Sequence, residues 1–387
     1  QHPSDRLAAW APHICQWEGG GTIGRVLAAA IDAGGRGGQE VFDVLLLRHP
    51  ANLFASRLRW RGGQLTHDAG APRDAIVPFY MATTPHSYVG WGKTTHLGFG
   101  IPLMIGARDV AFPRLNAFAF WLFLFSVVLL TSSFFLGGSP DGAWVGYAPL
   151  STEIQEYVRM DYYSIGAQLL GFASLASSIN FVATIFTMRA PGMTLMRMPV
   201  FVWMTIVSSF LLIFSLPVIG VGLWQIFIDR NFGGLFYQAQ AAGDPLLWQH
   251  LFWIFGHPEV YVLILPAFGI VSEILPVFSR KPLFGYAFVV FSGIAIGFLG
   301  FGVWAHHMFT SGMSTLLAVI FSALTFSVSI PSAIKVFNWL ATMYKGSIWL
   351  VTPMCYALSF IFLFGIGGLT GLFLGALATD VHLHDTY

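Results

Sequence analysis

The stretch FGYAFVVFSGIAIGFLGFGVWAHHM (284–308) decides how this chain is read. It is long and apolar enough to cross a bilayer, which takes about 20 residues of helix. It carries two adjacent histidines, His306 and His307, near its end. The apolar run before it holds His257-Pro258-Glu259-Val260-Tyr261. Ionisable side chains inside hydrocarbon-length segments are costly to keep, so they mark function by default. Imidazole suits copper among other ions, so three imidazoles from two neighbouring spans point to a copper ion and to redox chemistry within a membrane.

The composition agrees. The chain has 387 residues, 56% hydrophobic and 10% charged, with mean hydropathy +0.69. A soluble domain has about 25% charged residues, so this is an integral membrane protein. A net charge of +1 gives no basis for a nucleic-acid partner. Cys15 and Cys355 form no CxxC pattern, which argues against a zinc knuckle or a disulfide framework.

Seven runs of spanning length follow one another, at about 116–136, 161–186, 199–228, 247–277, 284–308, 315–340 and 349–378. In lipid the backbone must satisfy itself, so these are helices and the fold class is an all-α, polytopic transmembrane bundle. Pro258, Pro266 and Pro331 are expected to kink their helices. Arg108, Arg114, Arg189, Arg197, Arg280, Lys281 and Lys345 fall in alternate loops. The intervening loops hold Asp141, Glu153, Glu156, Asp229, Asp244, Asp380 and Asp385, with Arg159 and Arg230 as their only basic residues. Basic loops favour the cytoplasmic side, which places residue 110 inside and the Tyr387 end outside.

Residues 1–98 differ from the rest. They carry 16 of the chain's 37 charged residues, contain Gly- and Arg-rich runs and have no apolar window of spanning length. Val41–Leu47 could form a short strand. The expected division is therefore an atypical region 1–98 and a partial transmembrane domain 99–387. The chain reads as a fragment, and its first 98 residues as not its native start.

His257 and Tyr261 are four apart and share a helix face. Glu259 points roughly half a turn away, while His306 and His307 diverge by about 100° if helical. Both of these can reach one ion only at a corner they share. A lone buried histidine more often bonds a neighbouring carbonyl than a metal, but three with a Tyr and a Glu in consecutive spans are a different matter. Asp109, Asn116, Ser174, Ser177, Ser178, Asn180 and Glu259 form a candidate polar track from the inner side, of the kind that relays protons. The Ser and Asn residues serve equally well as helix–helix glue. Lys335, with Ser332 one turn before it, either snorkels to the interface or serves the site. The cluster Asp380-Val381-His382-Leu383-His384-Asp385 can bind a hard cation, hold a cofactor's acidic groups or be a solvated loop.

These residues resemble subunit I of the haem–copper oxidase family, the A-type cytochrome c oxidase branch. The resemblance runs from about Gly98 to Tyr387 and rests on PLMIGARDVAFPRLN (102–116), MRAPGMTLMRMPVFVW (188–203), WQHLFWIFGHPEVY (248–261), WAHHMFT (304–310), IPSAIKVFNW (330–339) and HLHDTY (382–387). It implies that His257, His306 and His307 are the ligands of the copper called Cu-B. It implies that Tyr261 is the catalytic tyrosine joined to His257, supplying an electron and a proton as O2 is split. By the same resemblance Asp109, Asn116, Ser174, Asn180 and Glu259 line one proton pathway, Ser332 and Lys335 a second, and His384 and Asp385 a magnesium site. It further implies two haems, subunits II and III as partners, cytochrome c or quinol as donor, and the bacterial plasma membrane rather than the mitochondrial inner membrane.

There are departures. The histidine that the family places just before PLMIG for the low-spin haem has no counterpart in its motif here, and the chain stops before the two haem-binding histidines that follow HDTY. No haem axial ligand is therefore carried over, and the stretch alone is expected to bind copper at most and to turn over nothing. A quinol oxidase of the same fold is the close rival. A secondary transporter predicts internal repeats, which are not found. A purely structural membrane subunit has no use for Lys335, Glu259 and three histidines.

Overall fold

The computed structural model describes residues 58–61, 64–67, 98–136, 140, 142–154, 159–384 and 386. The chain divides into two units, Gln1–Ile76 and Val77–Tyr387. The described part of the first is an antiparallel hairpin of β1 (Leu58–Arg61) and β2 (Gln64–His67), with Trp60 opposite Leu65 and Arg61 opposite Gln64. The sequence had offered no strand there, although Gly62-Gly63 between two short runs is a recognised hairpin signal. The strand expected at Val41–Leu47 lies outside the described residues.

The second unit is helical. Its α-helices are α1 (Gly98–Ile105), α2 (Pro113–Ser132), α3 (Arg159–Thr187), α4 (Val200–Asn231), α5 (Pro245–Ser279), α6 (Tyr286–Gly302), α7 (Thr315–Ser327), α8 (Ser329–Met343), α9 (Thr352–Gly375) and α10 (Leu377–Leu383). Seven helical stretches among the described residues are long and apolar enough to span a membrane, as expected. Two differ from the expected runs. The span 284–308 stops being α-helical at Gly302, and a 3-10 turn, Trp304–Met308, completes it. The span 315–340 breaks at Val328 into α7 and α8, so Pro331 sits in the first turn of a new helix, where its missing N–H costs nothing. Pro258 and Pro266 do lie inside α5, together with Pro276.

Capping fixes the start of α5, since the Asp244 carboxylate accepts from Leu246 N at 2.9 Å and Pro245 occupies the first turn. In hydrocarbon, helices associate through close packing and interhelical hydrogen bonds rather than through apolar burial. Ser126 Oγ donates to Gly166 O at 2.6 Å and joins α2 to α3. Trp339 Nε1 donates to Ser272 Oγ at 2.9 Å and joins α8 to α5. Ser322 Oγ donates to Gly375 O at 2.6 Å and joins α7 to α9. The main core lies along α4 and α5, where Met204, Leu212, Trp248, Phe252, Leu265 and Phe268 are buried. α6 packs on both of these helices, which brings its C-terminal turn against α5.

Candidate metal centre

His257 projects from the middle of α5, and His306 and His307 from the 3-10 turn that follows α6. Neighbours on a 3-10 turn diverge by about 120°, more than on an α-helix, so the two imidazoles reach the His257 ring from the two sides of the corner they share. One ligand atom from each of the three histidines lies within 4.8 Å of the others, so the set can hold a metal ion. The ring centroids are 4.5 Å apart for His257 and His306, 5.4 Å for His257 and His307, and 4.4 Å for His306 and His307. An ion about 2.0 Å from each nitrogen, the usual imidazole–metal distance, needs nitrogens within roughly twice that separation, so little closure is required.

The surroundings set the ring orientations. His257 Nδ1 and His307 Nε2 face each other at 3.2 Å. Two imidazole lone pairs at that distance repel unless a proton or a cation lies between them. Thr325 Oγ1 on α7 donates to Phe321 O at 2.7 Å, so in its 2.8 Å contact with His306 Nδ1 it is the acceptor. This holds His306 as the Nδ1–H tautomer and leaves Nε2 free to bind a metal, the second-layer support common at such sites. The Trp253 ring stacks on His307 at 3.7 Å and 4°, and its Nε1 donates to Tyr147 Oη at 2.7 Å.

Tyr261 meets the His257 ring edge-on at 4.6 Å. A Cβ on Gly300 would come within 2.8 Å of the Tyr261 ring, so the glycine in α6 makes room for it. His257 Nε2 is buried without a hydrogen-bond partner. An unpaired polar atom there is costly and marks an unused bonding position beside the Tyr261 ring.

The other expected residues are placed as follows. Glu259 is buried, at 1% exposure, on the same helix as His257. Asp109 is exposed before α2, and its carboxylate accepts from Val110 N at 2.7 Å. The Asn180 amide accepts from Phe112 N at 2.9 Å and donates to Phe112 O at 3.1 Å, so it staples the segment following Asp109 to α3. Ser174 Oγ and Asn116 Oδ1 are buried without hydrogen-bond partners. Lys335 is fully buried and does not snorkel, because its Nζ donates to Val289 O at 2.8 Å. Ser332 Oγ donates to Val328 O at 2.9 Å, at the break between α7 and α8. His384, the residue that caps α10, pairs with Asp380 of that helix at 2.6 Å. Asp385, its expected companion, lies outside the described residues.

Sequence reasoning did not single out Trp253 or Thr325. Trp253 could have been found, since it precedes His257 by one turn and shares its face. Thr325 carries no such signal, because only the fold brings α7 to the histidine turn.

The model of the family described as cytochrome c and quinol oxidase polypeptide I matches residues 90–387. The chain belongs to this family. Cytochrome c oxidase subunit 1 of Bacillus sp. (strain PS3) is 53% identical over 74% of this chain and 47% of its own length. Cytochrome c oxidase subunit 1 of Bacillus subtilis (strain 168) is 52% identical over 90% of this chain and 54% of its own length. Quinol oxidase subunit 1 of Bacillus subtilis (strain 168) is 50% identical over 74% and 44%. The chain thus spans about half the length of these relatives.

Proposed function

We propose that this chain is part of the catalytic subunit of a terminal respiratory oxidase in a bacterial plasma membrane, passing electrons to O2, giving water, and moving protons. The observation that carries this reading is the convergence of His257, His306 and His307 on one point within a membrane-spanning bundle. These residues fit a copper ion: three imidazoles, two of them with facing nitrogens, and one tautomer set by Thr325. Copper held by these three histidines would supply one-electron redox chemistry to the centre.

The remaining residues hold and move protons. The Tyr261 phenol, whose ring meets that of His257 edge-on, would hold a proton and an electron for the reduction of O2. Asp109 takes protons from the inner side, and Asn116, Ser174 and Asn180 lead to Glu259, a buried carboxyl two residues after the metal-binding His257. Lys335 and Ser332 form the second route. His384 and Asp385 hold a magnesium ion near the outer surface. Subunits II and III are the expected partners, and two haems complete the centre. Cytochrome c is the proposed donor; quinol is the second reading, because relatives bearing both names match at nearly the same identity.

The test is metal analysis and visible and EPR spectra of membranes carrying the complete subunit. The expected result is copper with two haem populations, one of them magnetically silenced by its copper neighbour. Oxygen uptake driven by reduced cytochrome c, compared with uptake driven by a quinol, decides the donor. A preparation with haem and without copper overturns the reading.

A further inference from the structure

The pocket around Lys335 has walls from four helices, and none of the residues that form it is a ligand at the metal centre. Lys335 Nζ, from α8, donates to Val289 O of α6, lies 3.8 Å from Met204 Sδ of α4 and stands 5.5 Å from the Phe268 ring centroid of α5. The hydrogen bond alone does not fix the amine. A carbonyl oxygen has two lone pairs, and the Val289 carbonyl also accepts from Ser292 Oγ at 2.9 Å, inside a helix whose periodicity directs the Gly293 N–H to it as well. Lys335 is the third donor to an acceptor that is already filled.

What closes the pocket is a side chain lying in a notch. Gly293, one turn after Val289, leaves a gap on α6. A Cβ there would come within 2.6 Å of Met204 Sδ and 3.2 Å of Lys335 Nζ. The fully buried Met204 side chain fills that gap from α4 and presents its sulfur, a weak acceptor, to the amine. Methionine is unbranched and adapts to irregular space, so it can yield when the lysine moves, where a branched side chain would not.

We propose that Met204 is a positioning residue for Lys335: lying across the Gly293 notch, it keeps the ε-amino group against α6, the helix that leads to His306 and His307. The proposal rests on the reading of Lys335 as a proton carrier. Transfer then requires Nζ to leave the Val289 carbonyl and return, and Met204 stops it from settling in the notch instead. The thioether can serve from either helix, because the space it fills lies between Gly293 and position 204.

The experiment uses the complete subunit assembled with its partners in membranes. Lysines are reductively methylated and read by mass spectrometry, with the exposed Lys345 as internal standard, and proton uptake on reduction is followed by stopped flow. Met204→Ala is expected to raise Lys335 labelling and to slow uptake, each about fivefold. The double variant Met204→Ala, Gly293→Met returns the thioether from the other helix and is expected to restore both readouts to within about twofold. If Met204→Ala fails to assemble, Met204→Val opens a smaller gap and must raise labelling too. Unchanged labelling in the single variants, or an assembled double variant that restores neither readout, overturns the proposal. Lys335→Met separates the two claims: if it leaves uptake unchanged, the proton-carrier reading fails, while labelling still decides what positions the amine.

Discussion

The histidine centre and the C-terminal end of the chain both offer imidazoles to a cation but are built differently. At the centre, His257 and His306–His307 come from elements some fifty residues apart in sequence, and a third element supplies Thr325. At the C-terminal end, His384 caps a seven-residue helix and pairs with Asp380 inside it, four positions away. The first arrangement costs the chain a fold to assemble; the second follows from helical spacing alone. Convergence from distant elements is therefore the stronger sign of a metal site, and local clustering of His and Asp the weaker.

That contrast can be broken. The largest expected effect is from His306→Ala in the complete subunit: copper affinity falls by more than the 10–100-fold that supporting residues usually account for, while the haem spectrum of the assembled protein persists. Copper content by atomic absorption checks this, and full copper retention would put the two sites on the same footing. Next comes Thr325→Val, which keeps the side chain's shape and removes the acceptor for His306 Nδ1. Copper affinity is expected to fall 10–100-fold, with broadened copper EPR lines in the oxidised, cyanide-treated enzyme. The smallest effect is from Asp380→Asn. The His384 pair is local and partly exposed to solvent, so its loss is expected to cost at most about 1 kcal/mol in thermal unfolding and to leave copper content unchanged. Copper loss in this variant would show that the His384 pair supports the centre.

The spans were legible because about twenty apolar residues admit one solution in lipid. The run read at 349–378 is seen as α9 at Thr352–Gly375. How the spans pack was not legible. α4 and α9 are both strongly apolar, yet 61% of the apolar window is buried in α4 and 11% in α9, because hydropathy registers lipid-facing and helix-facing positions alike. The break at Val328 was missed for a local reason, since Ser327 and Ser329 interrupt the run too weakly to stand out beside Pro331. The turn at Trp304–Met308 was hidden in a run whose Gly297, Gly300 and Gly302 read equally well as helix. Of the site, the three histidines and Tyr261 could be found from spacing and type. The partner of Lys335 could not, because a backbone carbonyl on another helix leaves no mark in the sequence. The bond from Ser332 Oγ to the carbonyl of Val328, at the break before α8, is likewise set by a local backbone turn that the residue types do not announce.

The most direct measurement is copper-edge X-ray absorption on the complete subunit in membranes, wild type against His257→Ala. The account predicts three imidazole nitrogens at about 2.0 Å in the wild type and the loss of one, or of the metal, in the variant. Sulfur or carboxylate donors in the wild type, or a copper shell unchanged by His257→Ala, would contradict it.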